Sequence, residues 1–223
     1  MPTLFPASLM FDYQFELPRV DEMPRSRGRL LGLQNVPDLF VPARLNNKSA
    51  PVSVKAGWNE RGLGVLLQVR GKKHAPAGRW KDPKNSDWIH LFVDTRHTAG
   101  VQRATEFCTS VAVMPVDEDA DGSVTVKFTE VMGQKPVPVD RSQEPARTAV
   151  TEVSGGYDLE LWLPGAYFRG FEGVLESGLL AFYFVVHDSE LGEIPLSVGG
   201  DFPVSYNPSM WLVLMLQDLQ QES

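Results

Sequence analysis

The side chains best equipped to hold a ligand lie in one polar loop and at the head of the strand that follows it. Trp80 sits within Arg79-Trp80-Lys81-Asp82, and Trp88 opens the apolar run Trp88-Ile89-His90-Leu91-Phe92-Val93. An indole offers a flat apolar face, and charged neighbours offer hydrogen bonds. Together they suit a sugar, whose C–H face stacks while its hydroxyls meet polar groups. Tyr206 and Asn207 form a similar aromatic–amide pair in a late loop that the fold could bring close. Trp58, Trp162 and Trp211 fall inside strand-like patterns and read as core residues.

Other constellations are weaker. Asp117, Asp119, Asp121 and Gly122 follow the D-x-D-x-D-G order of a calcium loop. The twelfth position, where a bidentate Glu belongs, is Phe128, and Glu130 comes two residues too late. An acidic hairpin turn is the competing reading. Cys108, His187 and Asp188 supply the groups of a thiol site, and Asp94, His97, Glu106 and His90 are metal-ligand types, but neither set has diagnostic spacing. No phosphate-binding, dinucleotide or nucleophile-elbow motif occurs, so the expectation is not an enzyme. Lys72, Lys73, Arg79, Lys81 and Lys84 make a basic strip that could meet an acidic protein partner.

The elements that must position these residues are strands. Val52–Trp58 alternates, Asn59-Glu60-Arg61-Gly62 turns, and Leu63–Arg70 returns. Asp87–Asp94 carries large side chains on both parities and needs partners on both sides. Gln102–Met114 is expected as a strand ending at Pro115, with Val124–Val131 as its partner after the acidic turn. Thr148–Val153 and Tyr157–Leu163 flank Ser154-Gly155-Gly156 as a second hairpin. A single helical turn is expected over Pro164–Phe168. Leu179–Val186, the most apolar run, is expected as the central strand and Met210–Leu216 as the last one. Phe11–Leu17 alternates, while Leu30–Leu33 and Leu39–Val41 read as short edge strands. Gly133–Arg147 is a proline-rich loop.

The sum is an all-β chain: an antiparallel β-sandwich, jelly-roll-like, with long loops. One domain over 1–223 is expected, with an irregular segment 1–49 packing on a core over 50–216. The net charge of −7 argues against nucleic acid, and a single cysteine rules out an intrachain disulfide. Leu179–His187 is too short to cross a bilayer, so no membrane association is expected. The residues after Met1 do not read as a signal peptide, which points to the cytoplasm.

Several of these stretches resemble a known family. Trp58-Asn59-Glu60-Arg61-Gly62-Leu63-Gly64-Val65, followed by Asp87-Trp88-Ile89-His90-Leu91-Phe92-Val93-Asp94, is similar to the core of family 9 carbohydrate-binding modules and the related DOMON domains. Gly156-Tyr157-Asp158-Leu159-Glu160-Leu161-Trp162-Leu163-Pro164 resembles a later strand of that family, His187-Asp188 its strand end, and Pro208-Ser209-Met210-Trp211 the lead into its last strand. The likeness covers about 50–216 and looks like a bacterial branch. It implies a non-catalytic module for a carbohydrate or similar polar ligand, with Trp80 and Trp88 stacking and Arg79, Arg96, Tyr206 and Asn207 as further contacts. His90 stands where the family places a ligand-contacting Glu. Some DOMON domains hold haem between Met and His or Lys. Here Met114, Met132, Met210 and Met215 with His74, His90, His97 and His187 are the available types, and no spacing selects a pair. The alternatives to sugar binding are a protein-interaction module without small ligand and a haem-binding electron-transfer domain.

Overall fold

The structure, a computed structural model, describes residues 6, 13–46, 51–134 and 144–217. Eleven strands and one short helix are described, in the order β1 (Gln14–Pro18), β2 (Val52–Asn59), β3 (Gly62–Arg70), β4 (Trp88–Asp94), β5 (Cys108–Asp117), β6 (Ser123–Thr129), β7 (Arg147–Val153), β8 (Gly156–Pro164), α1 (Phe171–Ser177), β9 (Leu179–Asp188), β10 (Gly192–Pro195) and β11 (Leu212–Gln217). Two sheets face each other. One has the order β1-β11-β9-β4-β5-β6, with β10 also paired to β9; the other has the order β2-β3-β8-β7. All pairs are antiparallel except β1 with β11, which run parallel.

The period of two decides what fills the gap between the sheets. On β4, Ile89, Leu91 and Val93 point inward. They meet Val111 and Val113 of β5 and Phe182, Phe184 and Val186 of β9 in one buried cluster. The opposite wall is Val54 of β2, Val65 and Leu67 of β3, and Leu159 and Leu161 of β8. The two hairpins fold where their turn residues direct them. In the first, the Asn59 side chain accepts from the Arg61 N–H at 2.9 Å, and Gly62 lets the turn approach β8: a Cβ there would lie 2.2 Å from the Leu163 carbonyl.

The outer face of the four-stranded sheet is sealed. Met23, Leu30, Leu31 and Leu33 pack on Leu66 and Trp162. Buried Glu160 accepts the N–H groups of Leu30 (3.3 Å) and Leu31 (2.9 Å), which ties this irregular segment to β8. Among the described residues, the β3–β4 loop lies over the outer face of the other sheet through Trp80, and the segment before β11 does so through Trp211.

Some expectations are corrected. Leu30–Leu33 is a bent segment rather than a strand, and Leu39 makes only an isolated bridge to Val54. β5 begins at Cys108, not Gln102, because Thr105 closes a turn by accepting from the Phe107 and Cys108 N–H groups. It also runs through Pro115 to Asp117, where a register shift between Met114 and Asp117 accommodates the missing N–H. α1 and β10 are too short to leave a periodic signal. Phe11 and Asp12 of the first expected strand, and 135–143 of the proline-rich loop, lie outside the described residues.

Candidate ligand-binding face

On the outward parity of β4 stand Trp88, His90, Phe92 and Asp94. Pairing with β9 places His187 directly beside Trp88, and the two rings stack with centroids 4.0 Å apart and planes 10° apart. Trp80 reaches the same spot from the β3–β4 loop. Its ring lies 6.2 Å from Trp88 at 58°. The register across β5 explains how β6 holds it. Thr125 lies opposite Met114 and Lys127 opposite Ala112, so both face outward beneath the loop. The Trp80 indole N–H donates to Thr125 Oγ1 at 2.6 Å, and the Lys127 ammonium lies 4.3 Å from the ring centroid. Trp88 donates its own N–H to the Pro83 carbonyl at 3.0 Å. Both indole N–H groups are therefore satisfied within the protein. The half-buried rings present carbon surface rather than donors.

The aromatic line continues along the strand. His90 lies 5.5 Å from Trp88, Phe92 4.1 Å from His90, and Trp211 5.5 Å from Phe92. His90 Nε2 shares a 2.6 Å hydrogen bond with Ser110 Oγ, which in turn meets Thr129 Oγ1 at 2.8 Å. Burial, and secondarily the neighbouring His187, push the His90 imidazole down to about 4. Burial also lowers His187, with Glu193 acting in the opposite sense. Near neutral pH the His90 imidazole is uncharged, and burial disfavours the charged form of His187. The face carries its charge at the rim, on Lys84, Glu193 and Lys127.

A buried ion cluster holds this arrangement. Lys72 Nζ lies 2.8 Å from Asp188, 3.1 Å from Asp87 and 3.5 Å from Glu190, and the side chains of Lys72, Asp87 and Asp188 are fully buried. Burial alone would lower the Lys72 ammonium, but its hydrogen bonds to Asp188 and Asp87 outweigh this and raise it. Asp87 also accepts from the Ala77 N–H and from the Ser189 N–H and hydroxyl. Asp87 immediately precedes Trp88, and Asp188 immediately follows His187. One ammonium thus fixes both members of the stack and the loop that carries Trp80.

The same cluster takes Lys72 out of the expected basic strip, whose Lys73, Arg79, Lys81 and Lys84 remain exposed. Lys72 is inside the protein, Arg79 is paired with Glu118, and Lys81 lies 3.7 Å from Asp119. Acidic neighbours neutralise much of the strip. Beside the Trp88–His187 stack opens a cleft of about 350 Å³, lined by Pro83, Lys84, Ser86, Trp88, His187 and Glu193.

The remaining candidates lie elsewhere. Arg96 is past the far end of β4, whose last residue, Asp94, lies roughly 20 Å from Trp88 at ~3.3 Å per residue, and its guanidinium is 5.1 Å over Phe107. Tyr206 and Asn207 belong to that same end. The Tyr206 carbonyl accepts from Ala104, and the Asn207 side chain accepts from the Ser209 N–H and hydroxyl. The structure therefore joins Trp80, Trp88 and His90, with Arg79 at the margin, and separates Arg96, Tyr206 and Asn207 from them.

The three aspartates of the calcium motif do not converge. Asp117 caps its own turn by accepting from the Asp119 N–H and the Thr125 hydroxyl, and Asp121 adopts a left-handed turn conformation. Among the described residues no three His, Cys, Asp or Glu side chains are grouped to hold a metal. Asp94, His97, Glu106 and His90 form no such group either, although Asp94 and His97 line one cleft. Cys108 pairs with Asp94, at the opposite end of β4 from the residue that pairs with His187, and Asp188 is engaged by Lys72, so no thiol site forms. Among the haem candidates, Met114 is buried, close to Gly78, and Met132 is exposed. Met210 and His97 share a second cleft whose walls include Asp94, Thr98 and Ser209, more polar than cofactor pockets usually are.

Among solved structures, the chain is similar to a family 9 carbohydrate-binding module from Caldicellulosiruptor kristjanssonii solved with glucose. The TM-score is 0.63 and the identity 14%, covering 95% of this chain and 99% of that one. The same module with cellotriose matches equally well over 97% of its length. A candidate carbohydrate-binding protein from Bacteroides uniformis has a TM-score of 0.51 at 12% identity, over 92% of this chain and 99% of that chain. No family model and no curated protein matches the sequence.

The fold is that of a family 9 carbohydrate-binding module.

Within the family 9 fold, the outward side of β4 here carries Trp88, His90 and Phe92. Sequence reasoning reached Trp80, Trp88 and His90. It missed His187 as a stacking partner, and it missed Lys127 and Glu193. The only signal for His187 was the His-Asp strand end; its place beside Trp88 depends on pairing between strands far apart in sequence.

Proposed function

We propose that the protein is a non-catalytic carbohydrate-binding module, and that a sugar ring stacks on the Trp80–Trp88 face. The observation that carries this reading is the tilted pair itself. Two half-exposed indoles, 6.2 Å apart, have their N–H groups satisfied internally and are held in place by a buried ion cluster. Rigid carbon surface with charged side chains at its edge is what a pyranose requires: C–H groups pack on the rings, and hydroxyls reach Lys84, Glu193 or Lys127. Ordering the rings beforehand removes an entropy cost from binding. The fold supports the same reading, since the similar solved structures include modules in complex with glucose and cellotriose. A non-catalytic role fits the chemistry of Cys108, a buried thiol pushed up to about 11 by burial first and by Asp94 second.

The test is calorimetric titration of the whole protein with glucose and soluble cello-oligosaccharides, backed by a glycan array. Trp88→Ala and Trp80→Ala are each expected to weaken binding about tenfold or more, equivalent to roughly 1.4 kcal/mol. Full-strength binding by both folded variants, or no glycan bound by the native protein, sinks the proposal.

A further inference from the structure

At the other end of β4 lies the second cleft, of about 400 Å³. Asp94 and the loop His97–Gly100 form one side, and Tyr13, Ser209 and Trp211 line another. It is a separate place from the Trp80–Trp88 face, roughly a strand's length away.

Asp94 is only 4% exposed. It accepts the Arg96 N–H at 3.1 Å, but the Arg96 guanidinium turns away to lie over Phe107. Among the described residues no lysine or arginine side chain is ion-paired to Asp94. Burial raises its carboxyl, and the backbone N–H groups of Arg96 and His97 together with the Arg96 and His97 side chains oppose that effect. A carboxylate so placed gains from a cation entering the cleft.

The loop is shaped at a cost. His97 adopts φ 33°, which a residue with a Cβ rarely takes. Strain of this kind tends to persist where the surrounding structure imposes it, often at binding sites. The walls add two aromatic rings, Tyr13 and Trp211, and the hydroxyls of Thr98 and Ser209. Aromatic faces beside a carboxylate favour an organic cation. Among the described residues no three ligating side chains are grouped here, which favours an organic cation over a metal ion. The net charge of −7 draws cations towards the surface generally.

We infer that this cleft binds a small hydroxylated ammonium, of the class of a protonated amino sugar, with its –NH₃⁺ group on Asp94 and its ring against Tyr13. The inference does not depend on the Trp80–Trp88 face binding sugar.

Glucosamine hydrochloride is the probe, titrated into the ¹⁵N-labelled full chain and followed by amide chemical shifts, with N-acetylglucosamine and glucose as uncharged controls. Shifts are expected at Arg96–Gly100 and Ser209–Trp211, with glucosamine at least tenfold tighter than N-acetylglucosamine. Asp94→Asn keeps a carbonyl oxygen for the Arg96 N–H and is expected to abolish that preference. Thr98→Val, at an exposed position, serves as a milder variant and is expected to weaken binding severalfold. Equal affinity for charged and uncharged sugars overturns the inference. So do shifts confined to the Trp80–Trp88 end, or a folded Asp94→Asn that retains the preference. Failure of the Trp88→Ala test at the first face has no bearing on these readouts.

Discussion

Trp88 and His187 are cross-strand neighbours whose rings stack at 4.0 Å, and each is adjacent in sequence to an aspartate held by Lys72. The ligand face and the ion cluster beneath it are thus one construction. Rigidity below gives a fixed geometry above.

Replacing Lys72 tests this directly. Lys72→Met removes the only ammonium in the cluster and leaves Asp87 and Asp188 as buried carboxylates. Breaking a buried pair in this way costs about 3–5 kcal/mol. The expected result in urea denaturation is a loss of that order, with a change in tryptophan emission as Trp80 and Trp88 lose their positions. A loss under ~1 kcal/mol would show that the cluster does not hold the face.

Acidification bears on His90. Its folded value of about 4 lies below its ordinary value of 6.5, so the unfolded chain takes up the proton first. The contribution of the neutral imidazole is full above pH 6.5, declines as pH falls towards 4, and changes no further below that. His187 shifts in the same direction. Because His90 is partly solvent-exposed, the effect is discounted to about 1–2 kcal/mol. Thermal denaturation of the native protein should show a steeper fall in Tm between pH 6.5 and 4 than His90→Gln; parallel curves would exclude His90 as the source.

Cys108 is buried and its thiol is pushed up to about 11, so little thiolate is present near neutrality. A disulfide reagent at pH 8 is expected to label it slowly in the native protein and at the ordinary rate in denaturant. Fast native labelling would contradict its placement on β5.

The Thr125 hydroxyl accepts from Trp80 and donates to Asp117 at 3.1 Å, which links the loop tryptophan to the β5–β6 turn. Thr125→Val leaves the indole N–H without its partner at a cost of about 1 kcal/mol. Glycan binding should weaken severalfold while the fold persists, and an unchanged affinity would show that Trp80 is held by other contacts.

The sequence disclosed the fold where signals are local. Asn59-Glu60-Arg61-Gly62 and Ser154-Gly155-Gly156 are turns by their own chemistry, and the alternation around them is short-range. The apolar runs of β4 and β9 declare themselves in the same way. Half of the face was legible for the same reason: Trp80 and Trp88 stand out as indoles beside charge. His187 was not, because its stacking depends on β9 lying against β4 in one particular register. Lys72 was misread because it belongs to a basic run, and only the convergence of Asp87 and Asp188 draws it inside. Arg96 and Asn207 were grouped with Trp80 because loops carry no periodicity that would place them at one end of the sandwich or the other.

β1 and β11 run parallel, with Gln14 opposite Val213 and Pro18 opposite Gln217. Tension applied through residues before Gln14 and after Gln217 would drag these strands past one another in opposite directions. The whole ladder would then bear the load at once, as a seam in shear rather than a zipper opened from one end. Single-molecule stretching is expected to give one high-force rupture for the native pair and a markedly lower one for Phe15→Pro, which removes a hydrogen-bonding N–H from β1.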